Sequence, residues 1–136
     1  MKQSIIKAAK SIINFLPLII GTILLISLIS IIIPREFLLS IFKNNFILDP
    51  FLGSIFGSIS AGNPVISYIF AGEFLKQGIS LIAVTAFIVS WVTVGIIQIP
   101  AESAILGKKF TLIRNISAFI LAIIVAIITI LILKII

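Results

Sequence analysis

The chain contains no His and no Cys. That removes the commonest general base, the commonest transition-metal ligand, the thiolate nucleophile and the disulfide. Four carboxylates remain: Glu36, Asp49, Glu73 and Glu102. No phosphate-binding loop is present. Such a set argues against an enzyme, and no cofactor or metal centre is expected. What remains is recognition by hydroxyls, amides, backbone and one indole ring.

These groups concentrate in two places. The first is Ser58-Ile-Ser60-Ala-Gly62-Asn63-Pro64. Gly62 is a natural helix stop, and Asn63-Pro64 pairs an N-cap residue with a first-position proline. Asp49-Pro50 carries the same start signal, and Gly78 is the next stop. Two short helices are therefore expected, about 50–61 and 64–77, roughly 18 and 21 Å long at 1.5 Å per residue. Where they meet, the carbonyl end of one suits a cation and the amide end of the other suits an anionic or polar group. Asn63 serves as a cap, or as a cap and a ligand. The second place is the following apolar stretch, with Ser90, Trp91, Thr93 and Gln98. Trp91 packs on a neighbouring helix or lines a path; Gln98 binds backbone or lines a path.

Glu73 and Glu102 are candidates for ion or proton coupling. Each has a plainer reading. Glu73 lies near Lys76 and Gln77 at a helix end. Glu102 follows Pro100 and suits the first turn of a short helix at 101–106. Arg114-Asn115 reads as an anchor at the start of the last helix.

The elements that hold these residues belong in a membrane. The 136 residues are 61% hydrophobic and 10% charged, with a mean hydropathy of +1.40. A soluble domain of this size cannot bury so much apolar surface. The net charge of +6 flanks apolar stretches, as in membrane proteins facing lipid headgroups, so nucleic acid is not an expected partner. Four uncharged stretches run over Ser11–Pro34, Pro50–Gly72, Gln77–Ala101 and Asn115–Leu133. About 20 residues cross the hydrocarbon core. The fold expected is all-α and integral to the membrane, one domain over 1–136. Three transmembrane helices start near Ser11, Ser80 and Asn115, the second stopping before Pro100. A short interfacial helix follows Pro34 and presents Phe37, Leu38, Ile41 and Phe42.

Helices of 18 and 21 Å cannot each span about 30 Å. They form either a re-entrant hairpin or one broken span. With a hairpin, Lys and Arg divide six to four across the membrane; with a broken span, five to five. The positive-inside rule favours the hairpin, though a small bias is also what dual topology gives. Gly53, Gly57 and Ala61 recur every four residues, and Ala83, Ala86, Ser90 and Thr93 share an arc of about 80° at helical spacing. Those two small-residue faces can approach closely.

The run Gly57-Ser-Ile-Ser-Ala-Gly-Asn-Pro-Val-Ile-Ser67, then Ala86-Phe-Ile-Val-Ser-Trp-Val-Thr93, resembles the repeat unit of a family of predicted permeases. That family includes the organoarsenical efflux permeases. Its longer members carry two such units, so this chain resembles a half-length member. The resemblance covers Gly53–Asn115 and implies a permease. Arsenical-handling relatives place cysteines where this chain has Ser58, Ser60 and Asn63, so soft-metalloid ligation is not implied. The expected function is secondary transport of a small solute by a multi-pass protein of the cell membrane. A homodimer would place its shared site at the broken-helix tips: Ser58, Ser60, Gly62, Asn63, Pro64, Ser90, Trp91, Thr93 and Gln98. A scaffold or accessory subunit, or a small channel, are the alternatives.

Overall fold

A computed structural model describes residues 2–60 and 62–136. The described chain is helical, with short connections. It divides into two compact units, Met1–Pro34 and Arg35–Ile136. Among the described residues, three stretches are long and apolar enough to cross a membrane: Gln3–Ile29, Leu81–Leu106 and Lys108–Ile135.

The first unit is one helix, α1 (Lys2–Ile32). It begins well before Ser11, so Lys7 and Lys10 are helical rather than preceding the helix. Lysine is a good helix former, and a charge ends an apolar stretch without ending a helix. Pro17 lies inside α1, where it removes one backbone bond.

The second unit contains α2 (Arg35–Ile41), α3 (Leu48–Ile59), α4 (Pro64–Lys76), α5 (Leu81–Thr93), a 3-10 turn (Ile96–Gln98), α6 (Ile99–Leu106) and α7 (Lys108–Ile135). Leu38, Ile41 and Phe42 of the expected interfacial helix pack with Ala71, Ile79, Ala83 and Val84. Phe37 stays exposed. Arg35 Nε donates to the Gln77 carbonyl at the end of α4 (2.9 Å), where a cation complements the helix dipole.

Helix α3 starts two residues before the position that Asp49-Pro50 implied. Asn45 Oδ1 accepts from the backbone N–H of Ile47 and Leu48, so Asn45 supplies the start. Asp49 instead turns inward. It is fully buried, and its Oδ2 accepts the hydroxyl of Ser80, the N-cap residue of α5.

That bond fixes the course of the chain. The two ends of the 49–80 segment lie side by side. From there α3 runs parallel to α5. A Cβ on Gly53 would strike the Ala83 carbonyl oxygen, and one on Gly57 would strike the Phe87 carbonyl oxygen. Both glycines permit backbone-to-backbone contact, as their spacing predicts; Ala61 lies outside the described residues. The chain then returns along α4, antiparallel to α5. Phe70 meets Trp91 and Phe74 meets Phe87, with ring centroids 5.8 and 5.2 Å apart. Thus α3 and α4 go out and come back to one end of α5. Gly78, with φ 93°, makes the turn that ends α4; a side chain there would be strained.

Helix α7 runs antiparallel to α5. Ala126 packs on Ile82 and Ala86, while Asn115 reaches Gly95. Small fully buried residues, Ala86, Ala122 and Ala126, let these helices approach. The single helix expected from Ser80 to just before Pro100 is not formed. α5 stops at Thr93, Val94 is extended, and Pro100 sits in the first turn of α6, where its missing N–H costs no helical bond.

Candidate functional site

The unit therefore holds two interruptions of helix: the tip of the α3/α4 hairpin, between Ile59 and Pro64, and the break between α5 and α6 at 94–95. Because α3 and α5 are parallel and packed together, both interruptions fall at the same end of the seam. A cavity of about 190 Å³ lies there. Ser60, Gly62 and Pro64 line it from the first interruption. Trp91, Val92, Gly95, Ile97 and Gln98 line it from the second.

Each interruption leaves polar backbone to satisfy. At the first, Asn63 Oδ1 accepts from Val65 N–H (2.9 Å), and the Asn63 carbonyl accepts from Ile66 N–H (2.9 Å). Ser60 donates both its N–H (3.2 Å) and its hydroxyl (2.7 Å) to the Phe56 carbonyl. Trp91 Nε1 donates across the gap to the Gly62 carbonyl (3.3 Å). A Cβ on Gly62 would lie 3.3 Å from the indole ring, so the glycine lets the ring sit on the tip.

At the second interruption, Gly95 N–H would bond the Trp91 carbonyl if the helix continued. It donates instead to Asn115 Oδ1 of α7 (3.1 Å). Asn115 is buried, and its amide donates to the Thr111 carbonyl (3.0 Å) and to Glu102 Oε2 (3.4 Å). Glu102 stands in the first turn of α6. Arg114 Nη2 lies 2.6 Å from both of its carboxylate oxygens. Gly95, Asn115, Glu102 and Arg114 thus form one connected polar group beside the cavity.

Of the residues the sequence singled out, Ser60, Gly62, Pro64, Trp91 and Gln98 line the cavity. Four others do not. Asn63 is the cap of α4. Ser58 is buried and donates to the Ile55 carbonyl (2.8 Å). Ser90 is fully buried in the α3–α5 seam, next to Gly57, and its hydroxyl has no partner among the described residues. Thr93 is exposed and donates to the Val89 carbonyl (2.7 Å). Among the carboxylates, Glu73 pairs with Lys76 (3.6 Å) and accepts from Gln77 (3.5 Å). Glu102 is held by Arg114. Neither lines the cavity.

Val92, Gly95 and Ile97 were not anticipated. Gly95 followed by Pro100 repeats, at wider spacing, the glycine-then-proline signal of Gly62-Asn63-Pro64. Asn115 was read as an anchor and in fact closes the second interruption.

Aromatic rings back the cavity. Phe87 stacks edge-on against Trp91 (5.3 Å between centroids) and Phe70 lies at 5.8 Å. Comparison with models of protein families, with curated proteins and with solved structures finds no match for this chain.

Proposed function

We propose that the chain is a permease-like secondary transporter of a small solute, acting in the cell membrane as a homodimer. The observation that carries this reading is the meeting of a helical-hairpin tip and an interrupted helix at one cavity. Breaks in membrane helices are costly unless protein or water satisfies the freed backbone, and transporters place them around a substrate site. In this reading α3 and α4 enter and leave the bilayer on one side as a re-entrant hairpin, while α1, α5–α6 and α7 span it. The return of residue 80 to Asp49 supports that arrangement. Val92, Ile97 and Gln98, all exposed, leave one flank of the cavity open, and a second copy of the chain would complete the wall. The resemblance of Gly53–Asn115 to a permease repeat points the same way.

A scaffold or accessory role is the second reading. It is favoured by the Gly95–Asn115 and Trp91–Gly62 bonds, which hold both interruptions from outside.

The absence of native Cys makes the test clean. Gln98→Cys in sealed vesicles is treated with a membrane-impermeant thiol reagent from each side in turn. Labelling from both sides is expected of an alternating-access site. Protection from both sides would establish the scaffold reading instead. A steady conductance in planar bilayers would mark a channel.

A further inference from the structure

The cavity is balanced in charge. α3 and α5 bring carbonyl ends to it, and α4 and α6 bring amide ends, so the partial charges of the four helix ends offset one another. Among the described residues no Lys, Arg, Asp or Glu lines it. Glu102 and Arg114, which stand beside it, neutralise each other. An ion entering here would leave water without meeting an opposite charge, which is costly.

Its hydrogen-bonding groups are of both kinds. Some are used within the protein: the Trp91 indole N–H by the Gly62 carbonyl, the Ser60 hydroxyl proton by the Phe56 carbonyl, the Gly95 N–H by Asn115. Others stay open among the described residues. The open donors are the Gly62 and Ile97 N–H and the Gln98 NH2; the open acceptors are Ser60 Oγ, the Trp91 carbonyl and Gln98 Oε1.

Gln98 carries one group of each kind in a single plane. Its side chain lies over Gly95: a Cβ on that glycine would come within 2.8 Å of Gln98 Oε1 and 3.1 Å of its Cδ. The missing side chain at Gly95 thus gives the amide its place at the break between α5 and α6. Trp91, Pro64 and Ile97 supply apolar wall around it. Pockets that are mostly apolar, with a few placed polar groups, fix a ligand's orientation through those groups.

We infer that the cavity binds an uncharged solute of the small primary carboxamide class. A carboxamide sets a donor and an acceptor side by side in one plane. It is the complement of the Gln98 side chain, and the two amides pair through two hydrogen bonds, N–H to C=O each way. The solute's alkyl part lies against Trp91. This rests on the reading of the cavity as a transport site and names its substrate class.

Trp91 is the chain's single tryptophan, so intrinsic fluorescence reports on this cavity alone. The full chain in detergent is titrated with propionamide, propionate and n-propylammonium, which are close in size and differ in charge. A saturable change in Trp91 emission with propionamide is expected. Half-saturation should lie about tenfold higher or more for both ions. Gln98→Leu keeps the bulk and removes both hydrogen-bonding groups. It should raise the propionamide half-saturation roughly tenfold, the loss of two neutral hydrogen bonds. Gly95→Ala keeps Gln98 but displaces its amide, and should act in the same direction. Circular dichroism checks that both variants stay folded.

Either ion saturating at the same concentration as propionamide, or a lower one, overturns the assignment to an uncharged solute. No saturable response to any of the three overturns it too. An unchanged propionamide response in folded Gln98→Leu overturns the carboxamide class, since the pairing with Gln98 defines it. Failure of the transport reading shows separately, as protection of Gln98→Cys from both sides of the vesicle.

Discussion

The interruption between α3 and α4 and the one between α5 and α6 share a cavity but satisfy their backbone differently. At 60–63 the chain caps its freed amides itself, with Asn63 bonding Val65 two residues away, and only the Gly62 carbonyl is met from another helix, by Trp91. At 94–95 the freed amide is met by Asn115, twenty residues on and in another helix. The first is a local device that any chain carrying Gly62-Asn63-Pro64 could form. The second exists only once α7 has docked on α5. A break made locally survives small changes in packing; a break made by a distant side chain ties the cavity to the position of α7.

The comparison can be broken most sharply where both interruptions depend on one contact. Gly57→Val places a side chain against the Phe87 backbone, which cannot yield as a flexible side chain does. We expect about 3 kcal/mol of destabilisation, read as a lower thermal midpoint in detergent. Trp91 emission should shift as well, because moving α3 off α5 separates the two interruptions. An unchanged emission would show that the seam does not set the cavity.

Asn115→Ala comes next. It strands the half-buried Gly95 N–H and should cost about 2 kcal/mol, measured the same way. Asn63→Ala removes only a helix cap and should cost about 1 kcal/mol. If the order of these two is reversed, the second interruption does not depend on α7 as described. Glu102→Gln should cost about 1 kcal/mol or less, because Arg114 is 38% exposed and the pair is partly screened. Added salt should shrink that difference further.

The same contrast explains what could be read from the residues. Gly62-Asn63-Pro64 carries stop, cap and start signals within three positions, and Gly53 and Gly57 show their packing face by spacing alone. Val94-Gly95 sits in an apolar, β-branched run with its proline five residues away. The group that stabilises the break is Asn115, and helical periodicity says nothing of that pairing. Asp49-Pro50 misled by two residues for a related reason. Asp49 is a good cap in isolation, but Ser80 holds its carboxylate, and Asn45 takes over the start of α3. The helix starts of α1 and α7 were placed too late because basic residues were read as boundaries, whereas Lys108, Lys109 and Arg114 all lie within α7.

The pairing of α3 with α5 has a consequence for biosynthesis. Gly53 and the Ala83 carbonyl it touches are thirty positions apart in the chain. At about 5–20 residues per second, α3 leaves the ribosome some 1.5–6 s before its partner exists. For that interval a twelve-residue helix carries a buried-to-be carboxylate at one end and a bare glycine face along its side. The order of synthesis thus makes α3 the element that waits, and α5 the template on which it and α4 are finally laid down.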